Sequence, residues 1–355
     1  MNGFPPFLFL RSVVPFLSVL FFVPLAIAWV VTPFFRFIAH KTGVLDIPNG
    51  ALKKHEQVVA YLGGAAIYVA IGLSYFFVFG LLYPSLFFVA LKSSYFLGIT
   101  VLLGVGLIDD IFAISPFQKL VGQSIACLCF LQAGLYFKEP FLARFLPAIF
   151  CTPEIIFFVG ITLSLWWMLS IINAINLIDI MDGLAVTVSF VALLGMALYS
   201  GTFDRGVLLL PFLGVLAGFF FYNKPRASIY LGDTGSLVLG GILATVPFVF
   251  GWGISCQWGM VFSPPLVLLI PILELCWLVW IRTYLRIPFY YGSPHHFALY
   301  LKKWGWTIKK ILRVTGLLGT ICVVLASFVA FGAMFFLSAL VVSFLGMFFL
   351  LFYCL

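Results

Sequence analysis

Charge is what this chain has least of. Asp and Glu together number 11 in 355 residues, Lys and Arg 19, and charged residues amount to 8% of the sequence. So little charge excludes a solvated globular surface and any long acidic or basic tail. Histidine is equally scarce, at four. The seven cysteines include no CxxC and no spacing paired with histidine; this argues against a zinc module or a disulfide framework and leaves most of them as core filling. No low-complexity linker and no internal repeat stands out. Despite a net charge of +8, no basic stripe with interleaved aromatics is present, so nucleic acid is not expected as a partner.

What fills the chain instead is apolar: 64% hydrophobic residues, 43 of them phenylalanine. The runs are continuous, without the alternation of a membrane barrel, so the fold class expected is an all-α polytopic integral membrane protein. Each run lies near the roughly 20 residues needed to cross a bilayer. They fall near 12–35, 62–83, 94–109, 120–137, 154–173, 183–200, 207–222, 234–252, 260–281, 311–331 and 333–354. That is 10 or 11 transmembrane helices in one domain, 1–355, since almost nothing joins the last two. Ala26-Ile27-Ala28 resembles a signal cleavage site, but the run containing it is too long for a signal peptide and reads as a retained first span. Alternate loops divide the basic residues fourteen to five, with Lys41, Lys53, Lys54, Lys119, Lys224, Arg282 and Lys302 among the larger set. The larger set marks the cytoplasmic side.

Asp109, Asp110, Asp179, Asp182 and Asp233 then all fall on that side, as do His295 and His296. Isolated helix caps have no reason to segregate in this way; one polar site facing the cytoplasm requires it. The densest stretch runs from Asn173 to Ala185 and places Asn173, Asn176, Asp179 and Asp182 at steps of three. Ionisable groups at membrane depth are costly and usually line a site or path, although caps at a helix end would also use these residue types. The adjacent Asp109-Asp110 pair repels itself unless a cation or proton intervenes, and Mg²⁺ is held by one or two carboxylates together with substrate phosphates. Gly232-Asp-Thr-Gly-Ser236 opens a span: its glycines admit a close ligand and its helix start favours phosphate, while Asp233, Thr234 and Ser236 also suit capping. Glu274 lies inside the ninth span, where a hydrogen bond to a neighbouring span is favoured over a substrate role.

Together these stretches resemble the polyprenyl-phosphate N-acetylhexosamine-1-phosphate transferase superfamily, in the family's order from Lys41 to His296. The aspartate pair looks like Asp109-Asp110. The NxxNLxDGxDGLA motif is matched by Asn173, Asn176-Leu177, Asp179 and Asp182-Gly183-Leu184-Ala185, and the GDTGS segment by Gly232–Ser236. Asp46-x-Pro48-Asn49, Lys53-x-His55 and Gly63-Gly64 look like the branch that transfers GlcNAc-1-phosphate. Ile180 departs from the family's glycine, Ala60 from a frequent proline, Glu274 from Asp, and the last loop has two histidines where three are usual.

The resemblance implies a Mg²⁺-dependent (or Mn²⁺-dependent) enzyme of a bacterial inner membrane with its active site in cytoplasmic loops. Its substrates would be a UDP-N-acetylhexosamine and polyprenyl phosphate. Asp233 and Asp179 would hold metal, and Asp109 or Asp110 would orient or deprotonate the lipid phosphate. Asn173, Asn176, Asp179 and Asp182 would position the nucleotide sugar. His295 and His296 would meet the diphosphate, with Lys53 and Lys119 as further phosphate contacts. A homodimer is suggested by resemblance alone. The phospho-MurNAc-pentapeptide translocase is the alternative within the superfamily, and a transporter or lipid flippase is the alternative outside it.

Overall fold

The computed structural model describes residues 6–46, 58–80, 93–143, 145–147, 152–200, 206–255, 258–288 and 290–330. Apolar helices run back and forth through a bundle built around one of them, Gly232–Val249 (α9). Of its apolar window 83% is buried, against 17% for the peripheral first helix Pro6–Thr42 (α1). Around α9 pack Gly63–Tyr75 (α2), Ser94–Phe112 (α3), Pro153–Ile178 (α6) and Leu184–Tyr199 (α7). Leu210–Asn223 (α8) bridges α1 to α2 and α7. Phe158, Trp166 and Val30 are exposed on the outside, as expected where the surrounding medium is hydrocarbon.

Close approach at the centre depends on small residues, as is usual where helices pack without a hydrophobic driving force. A Cβ on Gly64 would lie 2.0 Å from the backbone nitrogen of Gly235, and one on Gly106 would lie 2.4 Å from Thr234 Cα. The glycines of the GDTGS segment and of Gly63-Gly64 are therefore where two helix starts touch. The amides of Gly63 and Gly64 donate to the carbonyls of Tyr230 and Leu231.

The architecture departs from the expected one in three places. First, it is not purely helical: Leu45–Asp46 (β1) pairs antiparallel with Val59–Ala60 (β2), and Ala60 also bridges to Ile229. This ribbon closes the loop between α1 and α2 and brings Asp46 and Tyr61 toward the segment before α9. Second, among the described residues five helices are long and apolar enough to cross a membrane, or six if one bent pair counts as a span. The expected spans at 62–83, 183–200 and 207–222 are represented by α2, which runs on as a π-helical turn over Phe76–Gly80, and by α7 and α8, with 16 and 14 residues. The span at 120–137 is represented by Pro116–Gln132 (α4), with 17. The span expected at 333–354 lies outside the described residues. Third, the ninth span is broken. Trp258–Val267 (α10) and Leu269–Tyr284 (α11) meet at a 65° bend, after Pro264-Pro265, which remove two amide donors and crowd the preceding turn. Glu139–Leu142 (α5), Phe297–Lys303 (α12) and Ile308–Ala330 (α13) are the further α-helices among the described residues.

Candidate active site

At one end of the bundle, Ser115 starts α4 with a capping box: its hydroxyl accepts from the Gln118 amide and the Gln118 side chain accepts from the Ser115 amide. Pro116, with its preset φ, follows at the first helical position. With Ala113 left-handed (φ 51°), the chain reverses within three residues. Lys119, one turn into α4, thus returns beside Asp109, one turn before the end of α3.

There the Lys119 ammonium lies 2.9 Å from Asp109 Oδ2 and 2.7 Å from Asp233 Oδ1, and donates to Asn176 Oδ1 at 3.1 Å. Its side chain is 15% exposed and that of Asp109 10%. The surroundings are fixed. Asp109 Oδ1 accepts the Ile114 amide at 3.0 Å. The Asn176 amide donates to Asp233 and to Ser236 Oγ.

The carboxylates divide into distinct tasks. Asp110 is committed to backbone: it accepts the Asp233 amide at 2.8 Å, the Thr234 amide at 3.0 Å and the Thr234 hydroxyl at 2.5 Å. It therefore caps α9 from another helix, occupying the amides that a helix start would otherwise offer to phosphate. Of the three capping residues readable in the GDTGS segment, Asp233, Thr234 and Ser236, none caps the helix from within. Asp182 likewise accepts the amides of Arg226 and Ala227, both at 3.1 Å. Asn223 ties Gly183 N to Ile229 O. Asp179 ends α6 and makes no hydrogen bond through its carboxylate among the described residues. Loss of water, and the facing charges of Asp233, Asp110 and Asp182, push its pKa well above the usual carboxylate range.

These groups converge on a cavity of about 740 Å³ lined by Asp109, Asp110, Asn176, Asp179, Asp182 and Asp233. Asp46, Tyr61, Asn223 and Tyr230 complete the polar wall. Burial, then Asp182 and Asp46, raise the Tyr230 phenol to about 12, and burial with Asp46 and Asp110 raises Tyr61 further. Both remain donors at neutral pH. Neither tyrosine was legible as a site residue, because each reaches the cavity through the ribbon at Ala60 and not through a spacing along the chain.

Asn173 lies one turn deeper, paired with the Gln123 amide (2.7 and 3.3 Å) and donating to Leu169 O. It braces α4 against α6 and does not line the cavity. Gln123 was missed, although its place four residues after Lys119 puts it on the same helix face. His295 and His296 form a separate cluster. His296 is buried, its Nδ1 3.0 Å from Glu274 Oε1, and the Phe297 amide also donates to Glu274. The partner of Glu274 is thus the last loop, not a neighbouring span. Trp277 Nε1 donates to His295 O, Arg282 to Ser293 Oγ, and His295 Nδ1 meets Tyr300 OH. Burial, with Lys303 and Arg282 nearby, lowers the His295 pKa. One face of α11 so clamps residues 293–297. Lys53 lies outside the described residues.

Among the described residues no three His, Cys, Asp or Glu side chains form a metal-binding group. A hard divalent ion nonetheless fits the donor chemistry: oxygens of Asp109, Asp233 and Asn176 already converge on one cation, the Lys119 ammonium, and Asp179 opens onto the same cavity. Two carboxylates with the remaining positions left to substrate and water suffice for Mg²⁺.

Fold and site define a helical membrane protein with one buried acidic site at an end of its bundle. Residues 93–251, from the start of α3 to the end of α9, match the model of glycosyl transferase family 4. A probable undecaprenyl-phosphate N-acetylglucosaminyl 1-phosphate transferase of Bacillus subtilis is 28% identical over 85% of this chain and 82% of its own length. A phospho-N-acetylmuramoyl-pentapeptide-transferase of Streptococcus sanguinis is 35% identical over 42% of this chain and 48% of its own. One of Lacticaseibacillus paracasei is 31% identical over 58% and 63%; both matches span less than two thirds of those relatives. The similarity is to the polyprenyl-phosphate sugar-1-phosphate transferase superfamily, divided between its two branches at modest identity.

Proposed function

We propose that the protein transfers an N-acetylhexosamine-1-phosphate, GlcNAc-1-phosphate in particular, from a UDP-sugar to undecaprenyl phosphate, releasing UMP and initiating a cell-surface glycan. The carrying observation is the clamp of Asp109, Asp233 and Asn176 on one cation at the rim of a polar cavity. The longer match to the GlcNAc-1-phosphate relative supports that branch. The shorter, higher-identity matches to pentapeptide transferases keep UDP-MurNAc-pentapeptide as the second reading.

In the reaction a lipid phosphate oxygen attacks the β-phosphorus, forming a P–O bond as the bond from that phosphorus to the bridging oxygen breaks and UMP departs. Such transfer depends on positioning and on neutralising oxygen charge. A phosphate monoester has a second pKa of about 6, so the nucleophile is largely dianionic near neutral pH and needs no strong base. Asp109, Asp233 and Asp179 would hold Mg²⁺, which supplies charge neutralisation at the diphosphate when bound. Tyr61 and Tyr230 offer phenol donors to the nucleotide. Asp110 and Asp182 keep α9 and the turn after α8 in place. The arrangement suits a bacterial inner membrane with the cavity facing the cytoplasm, where UDP-sugars are found and from which the prenyl tail can remain in lipid.

Purified protein with undecaprenyl phosphate, Mg²⁺ and UDP-GlcNAc is expected to release UMP only when lipid and metal are both present. Release only with UDP-MurNAc-pentapeptide would establish the second reading. No turnover with any UDP-N-acetyl sugar would refute the transferase reading and favour a carrier.

A further inference from the structure

The cation already seated between Asp109 and Asp233 is covalently part of the protein. Its three oxygen partners are each held from behind: Asp109 by the Ile114 amide at 3.0 Å, the Asp233 backbone by Asp110 at 2.8 Å, and the Asn176 amide by Ser236 Oγ at 2.8 Å. Among the described residues Lys119 is held at its head by these oxygens alone, on a flexible four-carbon stem in the first turns of α4. The cage is anchored and its occupant is tethered.

A Mg²⁺ ion bonds oxygen at about 2.0–2.1 Å, so one drawn to Asp109 and Asp233 would stand where the ammonium now stands. Two cations cannot share that gap. The oxygens, 2.7–3.1 Å from the ammonium, would close in to the shorter metal distance while their backbone and side-chain anchors hold, and a swing of the Lys119 stem vacates the position. The ammonium lies against Asp109, Asn176 and Asp233, which line the 740 Å³ cavity, so that polar cavity adjoins the space into which the head group would swing.

We propose that Lys119 is a resident cation that offsets part of the negative charge of the Asp109–Asp233 cage until a divalent metal takes its place, and that its displaced ammonium then becomes an anion-binding group in the cavity. Metal entry and creation of the phosphate contact are thereby one event. This rests on the metal reading given above but assigns Lys119 a role that reading does not require, since a phosphate-binding lysine need never occupy the metal position.

The test uses full-length protein in lipid nanodiscs and two readouts independent of turnover. Mn²⁺ affinity is measured by electron paramagnetic resonance for the wild type and for Lys119→Met. In addition, acetylation of Lys119 by an amine-reactive reagent is followed by peptide mass spectrometry with and without Mg²⁺, using the exposed Lys309 as internal reference. Removal of the competing charge should tighten Mn²⁺ binding by at least about tenfold. In the wild type, Mg²⁺ should raise Lys119 acetylation severalfold while Lys309 stays constant. Unchanged or weaker Mn²⁺ binding in Lys119→Met overturns the proposal. So does tighter binding without a rise in acetylation, which would reduce Lys119 to a nearby repelling charge. If Lys119→Met does not fold, the wild-type acetylation decides alone. Mn²⁺ binding with Lys119 still protected defeats only the exchange; absence of Mn²⁺ binding in both forms defeats the metal reading with it.

Discussion

Replacing Asp110 separates an anchoring carboxylate from a chemical one. Its two oxygens accept two amides and a hydroxyl from the first turn of α9, at 2.8, 3.0 and 2.5 Å. A capping side chain is worth about 1 kcal/mol, and a hydrogen bond to a charged group about 1.5–3 kcal/mol. These terms overlap, since all act on one helix start, and Asp110→Ala is expected to cost roughly 3 kcal/mol. Asp110→Asn turns one acceptor into a donor facing the Thr234 amide and should cost roughly half as much. With about 2–4 °C of melting temperature per kcal/mol, both variants should unfold measurably early in a thermal assay. Thr234→Val removes only the hydroxyl contact, and about 1 kcal/mol with it. UMP release should fall along with stability in this series, whereas Asp109→Asn should lose activity out of proportion to its melting temperature. An Asp110→Asn protein that melts with the wild type yet releases no UMP would refute this division and return Asp110 to the chemistry.

Three further outcomes follow from the same geometry. Asp179, its pKa raised by burial, binds its proton more tightly folded than unfolded. Its contribution to stability is full below the usual carboxylate value of about 3.9 and is lost as pH rises through the elevated folded value; metal-free Asp179→Asn should show a flatter melting-temperature profile between those two values and be the more stable form at neutral pH. Glu274→Ala should release residues 293–297, seen as faster tryptic cleavage after Arg286, at a cost of about 1–3 kcal/mol for the orphaned partners. Gly64→Ala would drive a methyl to 2.0 Å from Gly235 N and should abolish monodisperse protein, since backbone on both sides cannot yield and overpacking costs about 1–3 kcal/mol or more. Gly104→Ala, with open space around its Cβ, is the neutral control.

Much of this protein was legible along the chain. Continuous apolar runs name a helical membrane protein because hydrocarbon accepts few other structures. The uneven distribution of Lys and Arg puts every acid of the site at one end, and Asp109, Asp110, Asn176, Asp179, Asp182 and Asp233 do line one cavity. The capping box at Ser115 and the bend after Pro264-Pro265 follow local rules, though neither stood among the expectations from the sequence. The bend is hidden because hydropathy alone runs smoothly across the prolines.

The assignment of tasks within the site belongs to the tertiary structure. Lys119 meets Asn176 across 57 residues and Asp233 across 114; Asp110 meets Asp233 across 123. Periodicity reports which face of a helix is apolar, not which distant helix it faces, so adjacent aspartates of the same type look equivalent. Only packing, permitted by Gly64 and Gly235 at the touching helix starts and by Gly106 near the end of α3, spends Asp110 on the backbone of α9 and leaves Asp109 for the ammonium. The same physics put His296 against Glu274 and Asn173 against Gln123. The sequence determined the medium, the polarity of the bundle and the residue types at its active end; the contacts between helices decided which carboxylate anchors, which pairs with a cation, and which stands open.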